Sequence, residues 1–385
     1  MPLVLVVTLL IPLVQSLTHF APEKSLYGYT DPVPEKPTSY VRAFFNKKLQ
    51  LWVEQYFNSH LGFRGFLIRS FNELNFALFH ETHNSKIQII ATKKHGLYSN
   101  LAINGLNSHI LNKKSLEQQY QEDAEQLLKV QNFLESQGKY FTVIIASSKI
   151  YVYPEELGDR YLVGGSSHLF ERAVDFATIY KKAGVHVIDS GPLLRDLVKN
   201  TGIETHPASG VHWNLYAGCV VAAKVLNKAQ KKIPNILQID CGKDQQIKPS
   251  LFSIDTDVYQ LLNVWSGHGL LATTTVPTVS VKNPAGLRPN IVMIGDSFSD
   301  QIFFAWQSAQ VYSEYVISGY FRARSVFSSS TETNNSIEGD IQKQIMADIT
   351  KGDLVILEMV DYNVPRRTYG FADYFLGQSE FRVAA

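Results

Sequence analysis

The hydrophobic and polar positions of this chain fall into three successive patterns. Met1–Val14 (MPLVLVVTLLIPLV) carries no charge and is almost wholly apolar. At about 14 residues it falls short of a spanning helix, which needs about 20, and suits the core of a signal peptide. Val14 and Ser16 are small enough to precede cleavage before Leu17. Residues 1–16 are therefore expected to be a signal peptide or a membrane anchor. Pro32-Val-Pro-Glu-Lys-Pro37 then reads as a linker. After it, Val41, Phe45, Leu49, Trp52 and Tyr56 recur at helical spacing. A second helix is expected over Leu67 to Phe79, with a glycine-marked turn, His60 to Gly65, between the two. Residues 17–84 are thus expected to form a linker and an N-terminal helical extension.

From about residue 85 strands alternate with helices. Ser115 and Gln118 carry a capping-box signature before a helix with Leu116, Tyr120, Leu127 and Leu134 on one side, closed by Gly138. Tyr140–Ala146 (YFTVIIA) is continuously apolar, as a strand buried on both faces must be. A helix is expected around Leu169 to Lys182, and strands over Val185–Ile188, Ile291–Ile294, Val311–Ile317 and Leu354–Glu358, the last preceded by a helix around Ile337 to Ile349. This alternation predicts a doubly wound parallel α/β sheet over 85–385, with chemistry at the carboxyl ends of its strands. Residues 231–290, with the polar run Asp240 to Gln246, read as an insertion.

Composition narrows the function classes. A formal net charge of +1 gives no electrostatic footprint for nucleic acid or for an anionic membrane. The histidines lack ligand spacing and there are two cysteines, so no metal is expected. No glycine-rich phosphate loop is present, and no cofactor is expected. Cys219, in an apolar helix, reads as a packed thiol; a Cys219–Cys241 bridge is an allowed alternative that sequence leaves open.

Two segments carry candidate chemistry. Ile291-Val-Met-Ile-Gly-Asp-Ser-Phe298 runs a buried strand into a tight turn and then helix-like sequence. Ser297 would stand at the sheet's carboxyl edge, beside backbone N–H groups that can hold an oxyanion. Ser209-Gly-Val-His-Trp-Asn214 ends a loop at His212, a candidate general base, with His206 as its rival. A serine hydroxyl needs a base, and the base usually needs an orienting acid. Asp189, Asp296 and Glu204 are the candidates, and sequence does not choose among them.

With these residues in hand the chain resembles the SGNH-type acetyltransferases of the AlgJ and AlgX kind, which O-acetylate exported polysaccharides. The matching blocks occur in the family's order: Phe57 to Gly65, Ala146 to Glu155, His212-Trp-Asn214, Gly295-Asp-Ser-Phe298 and Val355 to Met359. The resemblance implies an SGNH-like (flavodoxin-like) fold with circularly permuted motif order, histidine before serine. It implies Ser297 as nucleophile and His212 as base. The family's acid two residues before that histidine is replaced here by Gly210. Lys149, Tyr151, Trp213, Asn214, Arg322 and Arg324 are candidates for the acceptor groove. The resemblance further implies a polysaccharide acceptor, a membrane-bound O-acyltransferase that relays the acetyl group, and a periplasmic location. An esterase on the same site, or an inert polysaccharide binder, is the rival expectation.

Overall fold

The computed structural model of the chain describes residues 2–28, 35–82, 88–92, 96–247, 253–328, 332–333 and 340–378. Pro32–Pro34 of the proline-rich stretch, and the expected boundary at residue 85, lie outside them. The chain divides into two compact units, Met1–Ala91 with Asp257–Leu270, and Thr92–Thr256 with Leu271–Ala385.

The first unit is helical: α1 (Pro2–Thr18), α2 (Tyr40–Phe45), α3 (Lys48–His60) and α4 (Arg64–Phe79). No helix among the described residues is long and apolar enough to cross a membrane. The single helix implied by Val41 to Tyr56 is two, because Lys47 adopts a left-handed backbone (φ 62°) between α2 and α3. The turn before α4 meets α1 closely: Gly62 N–H donates to Ser16 Oγ at 2.7 Å, and a Cβ on Gly62 would lie 2.2 Å from the Pro12 carbonyl oxygen.

The second unit contains α5 (Lys113–Ser136), β1 (Tyr140–Ala146), α6 (Phe176–Ala183), β2 (Val187–Asp189), α7 (Ser190–Thr201) and α8 (Leu215–Ala229). Next come the hairpin strands β3 (Ile239–Ile247) and β4 (Thr274–Val281). They are followed by β5 (Asn290–Gly295), α9 (Ser299–Ser308), β6 (Glu314–Gly319), β7 (Ser325–Ser328), β8 (Glu332–Thr333), α10 (Ile341–Lys351) and β9 (Leu354–Val360). The main sheet has the order β8-β7-β6-β5-β9-β1-β2. β6, β5, β9, β1 and β2 run parallel; β7 and β8 form an antiparallel edge.

β1 and β9 are buried at every position, as sequences apolar but for Thr142 and Glu358 lead one to expect. Alternation sorts their side chains into two cores. Ile144, Met293 and Ile356 face α8 and α9 on one side. Phe141, Val143, Val292 and Val355 face α5, α6 and α10 on the other. Helices on both faces make the sheet doubly wound. From β1 the chain steps outward to β2, and from β5 outward to β6, with β9 between the two starting strands. That reversal opens a crevice at the carboxyl ends of β5, β9 and β1.

Several expectations shift. The helix expected from Leu169 breaks into Leu169–Arg172 and α6, because Asp175 restarts it by capping Thr178 N–H at 2.9 Å. Ser115 does not cap: α5 already starts at Lys113, and the Ser115 hydroxyl donates to the Asn112 carbonyl. Residues 231–290 are split. β3 and β4 belong to the sheet unit, whereas Asp257–Leu270 belongs to the helical one. Cys219 is not a packed thiol but is bonded to Cys241, joining α8 to β3.

Candidate active site

Ser297 and His212 each stand just ahead of a helix, and the packing of those helices brings them together. α8 and α9 cross closely at Gly218, where a Cβ would lie 2.4 Å from Gln301 Cβ and 2.8 Å from its carbonyl carbon. Only a residue without a side chain permits that approach. At the same crossing the buried Trp213 donates from Nε1 to the Phe298 carbonyl (2.9 Å) and Gln301 Oε1 (3.2 Å). Its ring meets Phe298 edge-on, centroids 5.4 Å apart, and the His212 ring lies 4.7 Å from Phe298. With the helix starts pinned in this way, His212 Nε2 lies 2.6 Å from Ser297 Oγ. Both residues are half-buried. A neutral imidazole at that distance can take the hydroxyl proton.

The turn carrying Ser297 is fixed by Asp296. Its Oδ1 accepts from Phe298 N–H (3.0 Å). Its Oδ2 accepts from Val360 N–H (3.0 Å), Asn363 Nδ2 (3.2 Å) and Tyr369 OH (2.7 Å). Burial and the Asp296 charge push the Tyr369 phenol well up, so it stays a donor. Asp296 thus ties the end of β5 to the segment after β9. Beneath it Glu358, fully buried, accepts the Asp296 N–H at 2.8 Å. Burial and the neighbouring Asp296 charge push the Glu358 carboxyl well above the usual carboxylate range, favouring its protonated form. Gly295 is required here, since a Cβ would approach Glu358 Oε2 to 2.6 Å.

The other sequence candidates scatter. Asp189 caps α7 through Gly191 N–H (3.2 Å) and lies 3.6 Å from Lys181 Nζ. It lines a cavity of about 120 Å³ at the ends of β1 and β2, together with Ser147, Tyr151, Arg195 and Asp361. Glu204 is exposed, and its backbone carbonyl accepts from Asn214 Nδ2 at 2.8 Å. His206 is buried with Nε2 on the Ser147 carbonyl (3.0 Å) and Nδ1 on Thr205 Oγ1 (3.1 Å), and burial with the nearby Lys149 charge lowers its pKa to about 3. Both nitrogens are engaged, which removes it as a rival base.

Lys149 is buried rather than presented to a groove; its ammonium donates to the carbonyls of Leu97 (3.1 Å) and Pro207 (2.6 Å). Tyr151 OH pairs with His109 Nδ1 at 3.1 Å. Trp213 and Asn214 are structural: Asn214 Oδ1 caps α8 through Ala217 N–H at 2.9 Å. Arg324 is spent on Asp348, its Nε at 2.6 Å and Nη2 at 2.9 Å from the carboxylate. Arg322 is exposed.

One acid near the pair escaped the sequence reading. Asp300 sits half-buried in the first turn of α9, three residues after Ser297. Burial raises its pKa; His212 acts to lower it and Asp296 to raise it. Its carboxylate is therefore within electrostatic reach of His212. The only signal for it was helical spacing from the nucleophile.

No family model matches the chain, and no curated protein matches it. Among solved structures it is similar to the O-acetyltransferase domain of Pseudomonas putida AlgJ (14% identity, 75% of this chain and 100% of that one, TM-score 0.46). Bacillus cereus PatB1 (12%, 74% and 100%, TM-score 0.39) and Pseudomonas aeruginosa AlgX (13%, 71% and 54%, TM-score 0.39) are also similar.

Proposed function

We propose that this chain is an extracytoplasmic serine acyltransferase that places acetyl groups on polysaccharide hydroxyls through an acetyl-Ser297 intermediate. The observation that carries the reading is the 2.6 Å contact between Ser297 Oγ and His212 Nε2 at the carboxyl edge of a parallel sheet. In the first half-reaction His212 takes the hydroxyl proton as Oγ attacks the acetyl carbonyl. The tetrahedral oxyanion needs a donor. Among the described residues the Phe298 and Ser299 N–H groups are already bound to Asp296, so the Ser297 N–H is the backbone donor nearest the reacting atom. The intermediate collapses, the donor's oxygen leaves with the proton from His212, and acetyl-Ser297 remains. In the second half a sugar hydroxyl gives its proton to His212 and attacks the acyl carbon; Ser297 is regenerated and the sugar ester released.

Transfer to sugar, rather than hydrolysis, rests on the resemblance of the ordered motif blocks to those of the AlgJ and AlgX kind. On the same basis a membrane-bound O-acyltransferase relays the acetyl group to this chain. The Cys219–Cys241 bond supports an oxidising compartment.

The test is intact-protein mass after brief exposure to an activated aryl acetate. Wild type is expected to gain one acetyl group and Ser297→Ala none. A folded wild type that takes no acetyl would overturn the mechanism and favour the inert binder. An adduct that turns over to free acetate, with no ester formed on an added glycan, would favour the esterase.

A further inference from the structure

α4 buries polar Arg69 and Asn72 and exposes most of its large apolar side chains. Its buried face is Gly65, Arg69, Asn72 and Phe76. The polar members are satisfied internally: Arg69 Nη2 donates to the Ser25 carbonyl at 2.6 Å and Asn72 Nδ2 to the Leu262 carbonyl at 2.8 Å. Leu67, Phe71, Leu74 and Leu78, at i, i+4, i+7 and i+11, form one stripe, and each is exposed, Leu78 at 63%. The stripe covers about 17 Å of the 16-residue helix. α3 buries no residue at all and exposes Leu51, Val53, Tyr56 and Phe57; α2 exposes Val41, Phe44 and Phe45, the last at 81%. Soluble monomers rarely expose so many large apolar side chains on consecutive helices.

We infer that this face, the α4 stripe with the exposed apolar side chains of α2 and α3, lies in the interfacial layer of an anionic lipid bilayer. Two observations favour lipid over a protein partner. The formal charges on α2, α3 and the turn between them are Arg42, Lys47, Lys48 and Glu54, all exposed, so basic groups border the apolar surface. Aromatic side chains with polar edges stand among them: Trp52 stacks on Tyr56 at 5.2 Å and Tyr56 on His60 at 4.1 Å, the composition of a headgroup-level belt. The helices lie on the bilayer rather than span it, since Arg69 and Asn72 on the far side of α4 stay bonded to protein carbonyls.

The experiment uses the full chain. Both native cysteines are bonded, so Leu74→Cys supplies a single thiol for an environment-sensitive dye. With vesicles of phosphatidylethanolamine and phosphatidylglycerol the emission is expected to shift to the blue and to be quenched by brominated acyl chains. Phe71→Glu is expected to lower the vesicle-bound fraction roughly tenfold, and pure phosphatidylcholine vesicles to bind less. Circular dichroism and Ser297 acylation, unchanged in both variants, show that the fold is intact. A dye that keeps its aqueous emission with vesicles present overturns the inference. A blue shift without lipid that grows with protein concentration also overturns it, because a second copy then covers the face.

Discussion

At the residue scale the paired Ser297 and His212 were legible because their signals are local: a buried strand ending in Gly-Asp-Ser, and a histidine in the loop just ahead of a helix. The partners of Lys149 and Arg324 were not. Lys149 closes on carbonyls at Leu97 and Pro207, and Arg324 on Asp348, all distant in sequence. A long cation beside a motif reads as a ligand group until its partner is known. Asp361 makes a test at this scale. Its Oδ2 accepts from Ser148 N–H (2.7 Å) and Oγ (2.9 Å), and its Oδ1 is buried without a hydrogen bond of good geometry. Burial, helped by the Asp296 charge, outweighs those donors and raises its pKa to about 7. An unfolded aspartate titrates near 4. Between about pH 4 and about pH 7 the folded chain therefore holds the extra proton, and this group makes stability fall as pH rises through that window, with no further change above it. Asp361→Asn removes the titration. The difference in melting temperature, variant minus wild type, is expected to grow more positive from about pH 4 to about pH 8. A pH-independent difference would show that Asp361 is already ionised in the folded chain at the low end.

At the scale of elements the functional geometry depends on one helix crossing. α8 and α9 carry His212 and Ser297 at their starts, and Gly218 sets how close they come. Gly218→Ala places a methyl against Gln301 backbone, so the helices must separate or tilt. The expectation is a fall of about 100-fold in the rate of Ser297 acylation with the secondary structure kept. Stopped-flow release from the aryl acetate measures it; a rate within a factor of about two of wild type would mean the crossing does not set the pair. The sequence foretold β1 in full, because burial on both faces leaves an unmistakable apolar run. It missed the β3–β4 hairpin, whose first strand, Ile239–Ile247, is mostly polar and pairs with residues some thirty positions on. It found α4 but not which face of α4 is inside. Periodicity reports that a helix has two faces; only the partners of Arg69 and Asn72 reveal that the polar one is buried.

At the scale of the whole molecule, one covalent bond bears on both stability and compartment. Cys219 sits in α8 a few residues after His212, and Cys241 in β3, at a sequence separation of 22. Closing a loop of that length removes denatured-state entropy equivalent to about 3 kcal/mol. For a unit of this size that corresponds to roughly 5–10 °C in melting temperature. Reductant is expected to lower the melting temperature by that amount in wild type and to leave a Cys219→Ala/Cys241→Ala protein unchanged. Because α8 both bears the bond and positions the base, reduction is also expected to slow acylation at temperatures below the melt. A melting temperature indifferent to reductant would remove the support for an oxidising compartment. The bond therefore tests the proposed setting of the reaction independently of the Ser297–His212 pair, which tests only its chemistry.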